Sequence, residues 1–469
     1  MFYFLSNGAY LLQYGFPHEL MFSVHAGEHF HYIMQQWLWC LLSALIYENF
    51  GFFGLIVYSY AIKVAFLTIF YYLLLFLSHG RRGLSFAETF LSGVFLIGPH
   101  LGRPYELTMC LLLIEIFFLQ WLRVHPQSRK MGYVLFPLLS VLAINLQAAM
   151  WPMLLVFLLP YFFETTFGQC RFLSSHFDRT SAIPLRTLIA YAALVLIFAL
   201  LNPYGIEMLS YGPKSYSVSS LRYLSMEMLP LYDQMPASAI LFLLLFIYII
   251  RKWVLHHLEL PLLLLLLGTG VMVFMSLRSV ILFFPCAMMT FTVLARTEGW
   301  FLWKRQREKR AMALLATCMM LYMVYFLSSL PRNVALESWA NGYVAIAEDA
   351  SARGEEIGPV YAIGTIGSYL TFFDVPVYMY SCTEAFSQPI NGKKDVLTEY
   401  HALQSEQVPY DAFLRSYGFR YVFVDDADIL YDTLVSDDRY TLIYQFDRGF
   451  PFRGVRVYRC EAQQEDTSR

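Results

Sequence analysis

The chain of 469 residues is short of charge: 14% of its residues are Asp, Glu, Lys or Arg, against 58% hydrophobic. A soluble domain carries about 25% charged residues, so a water-soluble fold is excluded for most of this length. It also lacks a phosphate-binding glycine loop, a dinucleotide fingerprint, a nucleophile elbow and a zinc-protease HExxH. Those absences remove support for ATP-driven transport and for the familiar hydrolase mechanisms. Its seven cysteines form no CxxC pair and no Cys/His spacing suited to zinc. Only Cys382 and Cys460 fall in polar sequence, where an oxidising compartment would let them pair. The formal net charge of -2 gives no support to a nucleic-acid partner. No basic segment precedes the first apolar residues, so the start does not read as a secretory signal.

What is present is apolar length. Ten runs approach the roughly 20 residues needed to cross a bilayer: 64–78, 84–99, 105–122, 131–144, 148–163, 183–201, 237–250, 258–275, 280–295 and 311–330. Residues 33–62 are apolar but interrupted by Glu48, Asn49 and Lys63, and read as an interfacial lead-in whose Glu48 and Lys63 could pair; counted as a crossing, it makes eleven. Aromatic residues are abundant, with 41 Phe and 34 Tyr, as befits chains with rings at both membrane interfaces.

Lys and Arg set the orientation. Sixteen of them occupy one alternate set of corners, from Arg81 and Arg82 through Arg123, Arg129 and Lys130 to the cluster around Arg310; the opposite corners hold Arg103, Lys214, Arg222 and Arg278. By the positive-inside rule the rich set faces the cytoplasm. Residues 1–50, which contain no Lys or Arg, and everything after 330 then lie outside. The expected architecture is a membrane all-α domain of about 10–11 transmembrane helices followed by a small extracytoplasmic mixed α/β domain. Its parts are an outer segment with interfacial helices over 1–50, a multi-span domain over 51–330 and the α/β domain over 331–469. In that last part acidic residues outnumber basic ones, strands are expected at 360–363, 375–380, 421–424, 441–446 and 455–458, and helices at 396–404 and 410–417. The localisation this implies is the cytoplasmic (inner) membrane.

Chemistry concentrates on the outer side. Four of the eleven histidines, His18, His25, His29 and His31, fall within fourteen residues alongside Glu19 and Glu28. Carboxylates and imidazoles together supply a general base, a proton shuttle or ligands for a divalent metal; a solvated interfacial loop is the plainer alternative. Further polar corners hold Arg103, Glu106, Asn145, Asn202 and Arg278. Charged groups at membrane depth are costly unless they face a cavity or a partner, and Arg can fork two hydrogen bonds to a phosphate. The plainer readings are that Arg103 pairs with Glu106 and that Arg278 reaches lipid headgroups. Glu115, inside an apolar run, is expected to bond to a neighbouring helix.

Short motifs run through the chain: GFP at 15–17, FS at 22–23, QQWL at 35–38, RP at 103–104, NL at 145–146, NPYG at 202–205 and SLR at 276–278, then IGSYL at 366–370 and YGFRYVFVD at 417–425. In these the chain resembles the GT-C superfamily, the multi-span glycosyltransferases that use polyprenyl-phosphate-linked sugars, and in particular an uncharacterised bacterial branch. The resemblance implies an active site in the first outer loop, a carboxylate that activates the acceptor, and a bound polyprenyl-phosphate sugar donor. Among the residues present, those expected to fill these roles are Glu19 or Glu28 as base with His25 or His29 assisting, Arg103 and Arg278 on the donor phosphate, and Glu106, Asn145 and Asn202 elsewhere around the substrates. Departures are visible: Gln36 stands where relatives often have a carboxylate, Tyr380 and Cys382 replace an Asp and an Arg, and the family's first span with its acidic residue would precede Met1. The expected function is transfer of a sugar to a lipid, glycan or protein acceptor. A non-catalytic membrane scaffold and a transporter of lipid-linked saccharide are the alternatives.

Overall fold

The computed structural model describes residues 1–96, 102–168, 170, 175–177, 182–218, 228–300, a few positions between 310 and 321, 334–447 and 454–461. Among these, five helices are long and apolar enough to cross a membrane, and three more are apolar but only 14 to 16 residues long. The expected span at 311–330 falls mostly outside the described residues.

Helix α1 (Phe2–Tyr14) packs along the first half of α2 (Trp37–Leu77). Gly8 permits this approach: a Cβ there would sit 2.2 Å from the Cys40 carbonyl oxygen. At 41 residues α2 would extend about 60 Å, twice the hydrocarbon thickness of roughly 30 Å. It is therefore two helices in function, bent at Gly51, whose φ of 60° and ψ of -157° are not helical. The lead-in segment is thus helical from Trp37 onward, and Glu48 and Asn49 sit exposed beside the bend instead of interrupting it. Because the bend separates Glu48 from the span, Lys63 turns inward and meets Glu106 at 3.9 Å. Neither expected pairing, Glu48 with Lys63 or Arg103 with Glu106, forms.

The bundle continues with α3 (Arg82–Leu96), α4 (Pro104–Val124), α5 (Arg129–Leu146), α6 (Met153–Phe167), α7 (Leu185–Phe198), α8 (Ile206–Ser217), α9 (Pro236–Leu255), α10 (Leu260–Met275) and α11 (Val280–Thr297). Pro104 opens α4 at its first turn, where a missing N–H costs nothing. Helix α4 is the central member, 72% buried over its most apolar stretch, whereas α9 is 17% buried and turns its Leu and Ile side chains outward. Glu115, in the middle of α4, is fully buried, and neither of its carboxylate oxygens has a hydrogen-bond partner among the described residues, contrary to the expected bond.

One end of the bundle collects the basic corners. Arg81 donates to the carbonyls of Ala295, Arg296 and Trp300, Arg123 binds Glu164 at 2.5 Å and Glu259 at 3.4 Å, and Glu298 accepts from Lys252 and His256. These contacts cap helix ends that would otherwise leave carbonyls or charges unsatisfied.

The C-terminal part folds around a four-stranded sheet in the order β1-β2-β4-β3, with β1 (Val360–Tyr361) parallel to β2 (Tyr421–Asp425), and β4 (Val455–Cys460) antiparallel to both β2 and β3 (Tyr440–Phe446). Helix α12 (Val334–Ala352) packs on β3 and β4; α13 (Gly364–Thr371), α14 (Val396–Gln404) and α15 (Tyr410–Ser416) complete it. Residues 375–380, expected as a strand, are an extended segment making single bridges to Val360 on one side and to Ser23 on the other. The N-terminal loop thereby prolongs the edge of the C-terminal sheet. Cys382 and Cys460 are both free: Cys382 is enclosed near Tyr3 and Tyr32, while Cys460 ends strand β4.

Candidate functional site

Residues 18–32 form a two-stranded ribbon. Leu20 N–H donates to the Phe30 carbonyl and Tyr32 N–H to that of His18, both at 2.9 Å, with Glu19 and His31 directly opposed. Alternation along an extended chain then sorts the side chains. Leu20, Phe30 and Tyr32 are buried, and Glu19, His29 and His31 emerge together on the other face. His29 closes the turn in the left-handed region (φ 53°, ψ 47°), a conformation His tolerates better than bulkier residues. Its Nδ1 lies 2.8 Å from Glu19 Oε2.

Across from this face lies α8, positioned by a turn that Asn202 builds: its amide donates to the Ala199 and Gly205 carbonyls while its oxygen accepts from Tyr204 N–H. Tyr204 in turn donates to the Pro17 carbonyl and packs against the His18 ring. Glu207, in the first turn of α8, approaches His31 Nε2 at 3.6 Å. A cavity of about 350 Å³ opens there, lined by His31, Ile33, Glu207, Ser210, Tyr211, Lys214 and Ile390.

Beneath the cavity the three parts of the chain are tied by hydrogen bonds. Glu384 of the C-terminal part accepts from Gln35 Nε2 at 2.8 Å and from the Tyr211 hydroxyl at 3.2 Å. The Gln35 carbonyl and side-chain oxygens accept from Ala148 and Ala149 N–H. Trp37 Nε1 donates to Asn145, whose amide also reaches the Leu201 carbonyl. Asn145 and Asn202 therefore spend their polar groups on the fold itself.

His25 lies on the inward side. Its ring stacks on Phe30 at 5.2 Å and is walled by Tyr378, Phe386 and Tyr417, while Nδ1 faces Glu28 Oε1 at 3.0 Å. Burial holds its pKa below the ordinary histidine value, outweighing the Glu28 carboxylate. With the folded pKa lowered, the docked state binds fewer protons than the released one, so its stability is present above about pH 6.5 and is lost as pH falls through the folded value. Acidification from pH 7.5 to 5 is expected to raise hydrogen exchange over 18–32 and 377–390. His25→Phe should remove that dependence, and an unchanged profile in the variant would count against it.

The remaining sequence candidates are dispersed. Arg103 is exposed immediately before α4, at the ribbon's end of the bundle; Glu106 points into the bundle toward Lys63; Arg278 is exposed in a single turn before α11, and no described contact joins it to the ribbon. Among the described residues no group of three His, Cys, Asp or Glu is arranged to hold a metal ion. Sequence reasoning singled out Glu19 and His29, counted His31 only within the histidine-rich loop and Glu207 only as the end of a polar corner, and assigned no role to Lys214, Tyr211 or Glu384. The alternation of 29–31 and the seven-residue spacing of Glu207 and Lys214 along one helix were the available signals.

Comparison with protein-family models, with curated proteins and with solved structures finds no match for this chain.

Proposed function

We propose that the protein is a membrane glycosyltransferase that moves a sugar from a polyprenyl-phosphate-linked donor to an acceptor outside the cytoplasm. The observation that carries this reading is one exposed ribbon face that holds the Glu19–His29 pair and, beside it, His31, which meets Glu207 at the lining of a cavity. Gathering the basic corners at the other end of the bundle supports an extracytoplasmic position for that face in the inner membrane. In the transfer, a carboxylate–imidazole pair takes the proton of an acceptor hydroxyl as its oxygen bonds to the anomeric carbon. The bond from that carbon to phosphate oxygen breaks, and the phosphate leaves with the electron pair. Arg103, exposed just before α4, is the cation assigned here to the departing phosphate of the donor.

The test uses the full chain in lipid nanodiscs with radiolabelled polyprenyl-phosphate sugars and an envelope-lipid extract as acceptor source. Glu19→Gln and Glu207→Gln are each expected to lower turnover about a hundredfold. Glu28→Gln should do less, since Glu28 serves the buried His25. Label transfer undiminished in both of the first two variants would leave the scaffold reading in its place.

A further inference from the structure

The cavity beside α8 has a cationic end, at Lys214, to which the transfer chemistry gives no role. Glu207 and Lys214 lie seven residues apart on one helix and both line it, so two turns, about 10 Å, separate them along the axis. That spacing is too long for a direct ion pair, and among the described residues Lys214 has no ion-pair partner. At the other end Glu207 is balanced by His31 at 3.6 Å. Between them Tyr211 is committed, its hydroxyl donating to Glu384, and Ser210 donates to the Glu207 carbonyl, which leaves the serine oxygen free to accept. Ile33 and Ile390 supply the apolar walls. The cavity thus offers a cation at one end, a hydrogen-bond acceptor pair at the other and little that would favour a wholly apolar guest.

We infer that this cavity binds the headgroup of a phosphate-bearing, hydroxyl-bearing ligand, with the phosphate at Lys214 and a hydroxyl donated to the Glu207–His31 pair. Lysine binds phosphate as a compact point charge, and a hydroxyl donor satisfies a carboxylate that a second anion would repel. The ligand source favoured by the surroundings is the membrane: Leu200, Leu201 and Ile206, immediately before Glu207, are 47%, 59% and 70% exposed. These exposed apolar side chains, on the segment that leads into α8, are suited to contact acyl chains. The inference stands on the cavity and not on the transferase reading; if that reading holds, this ligand is the acceptor.

The experiment reads binding alone, so it separates from any failure of turnover. The full chain is placed in nanodiscs containing equal parts phosphatidylcholine, phosphatidylglycerol and phosphatidylmethanol, and the lipids retained are counted by native mass spectrometry. Phosphatidylglycerol should be retained about fivefold over phosphatidylcholine, the effect of one lysine near an anionic headgroup. Lys214→Ala should abolish that preference, and Lys214→Arg should keep it, which separates lost charge from lost folding. Glu207→Ala should erase the preference for phosphatidylglycerol over phosphatidylmethanol, which has the charge without the hydroxyls. Release of the lipid by millimolar glycerol 3-phosphate would assign the same chemistry to a soluble source, and resistance would assign it to the membrane. Equal retention of phosphatidylglycerol by the wild type and Lys214→Ala overturns the inference.

Discussion

Replacing Arg123 by alanine is expected to destabilise the bundle by roughly 3–5 kcal/mol, the usual consequence of removing one partner of a buried ion pair. Arg123 ends α4 with its side chain 2% exposed, and Glu164 on α6 is wholly buried beside it. The substitution removes the guanidinium that neutralises Glu164 and leaves desolvation of the carboxylate poorly opposed. Glu259, the second carboxylate near Arg123, is about one-third exposed and can turn to water, so it adds little to the loss. The decisive comparison is Arg123→Leu combined with Glu164→Leu. Since exchanging a whole buried pair for apolar residues is often neutral, the double variant should recover most of the thermal midpoint lost by Arg123→Ala in detergent. A double variant as unstable as the single one would show that packing at this corner, not charge, sets its stability.

Much of the bundle was legible because apolar runs have few alternatives in a chain this poor in charge. The run expected at 105–122 is the helix Pro104–Val124, and that at 131–144 is Arg129–Leu146, each extended by polar residues that local hydropathy cannot place. The same blindness made Glu48 and Asn49 look like interruptions, although exposed polar residues sit comfortably on a helix that bends two residues later at Gly51. In the C-terminal part the helix at 396–404 has the expected ends, and its start is fixed by an Asp395 side chain that accepts from Thr398 N–H. The strands at 421–424, 441–446 and 455–458 were legible from their aromatic and β-branched content.

Residues 375–380 show where such reading stops. Their composition favours a strand, but besides the bridge to Val360 they pair with Ser23, more than 350 positions earlier, and no local pattern encodes that distance. The histidine-rich loop was readable as a concentration of chemistry. Its division into an outward face with Glu19, His29 and His31 and an inward ring at His25 depended on ribbon register, which only the partner strand fixes. Glu207 and Lys214 were visible as charges on an outer segment; that they line a cavity depends on Ile390 arriving from the other end of the chain.

That dependence makes Gly367 a sensitive position. It lies in α13, within the IGSYL motif, where a Cβ would come 2.1 Å from the Met379 carbonyl oxygen. Backbone cannot yield as a side-chain tip can, so Gly367→Ala must push α13 away from residues 377–382. We expect a loss of about 3 kcal/mol from the C-terminal domain, the upper part of the ordinary range for overpacking. The damage should travel to the ribbon, because the displaced segment holds Ser23 through the Tyr378 carbonyl and walls His25 with the Tyr378 ring. Gly27→Ala is the matched control: it lies in the ribbon turn with nothing within 4 Å of the added Cβ, and it should leave stability unchanged within about 0.5 kcal/mol. Limited proteolysis should cut 18–32 faster in Gly367→Ala and not in Gly27→Ala. If the ribbon stays protected while the C-terminal domain loosens, its outward face is held by the bundle alone, through Gln35, Tyr204 and the 145–149 corner. The C-terminal domain would then be a wall of the cavity without being the support of the carboxylate–imidazole face.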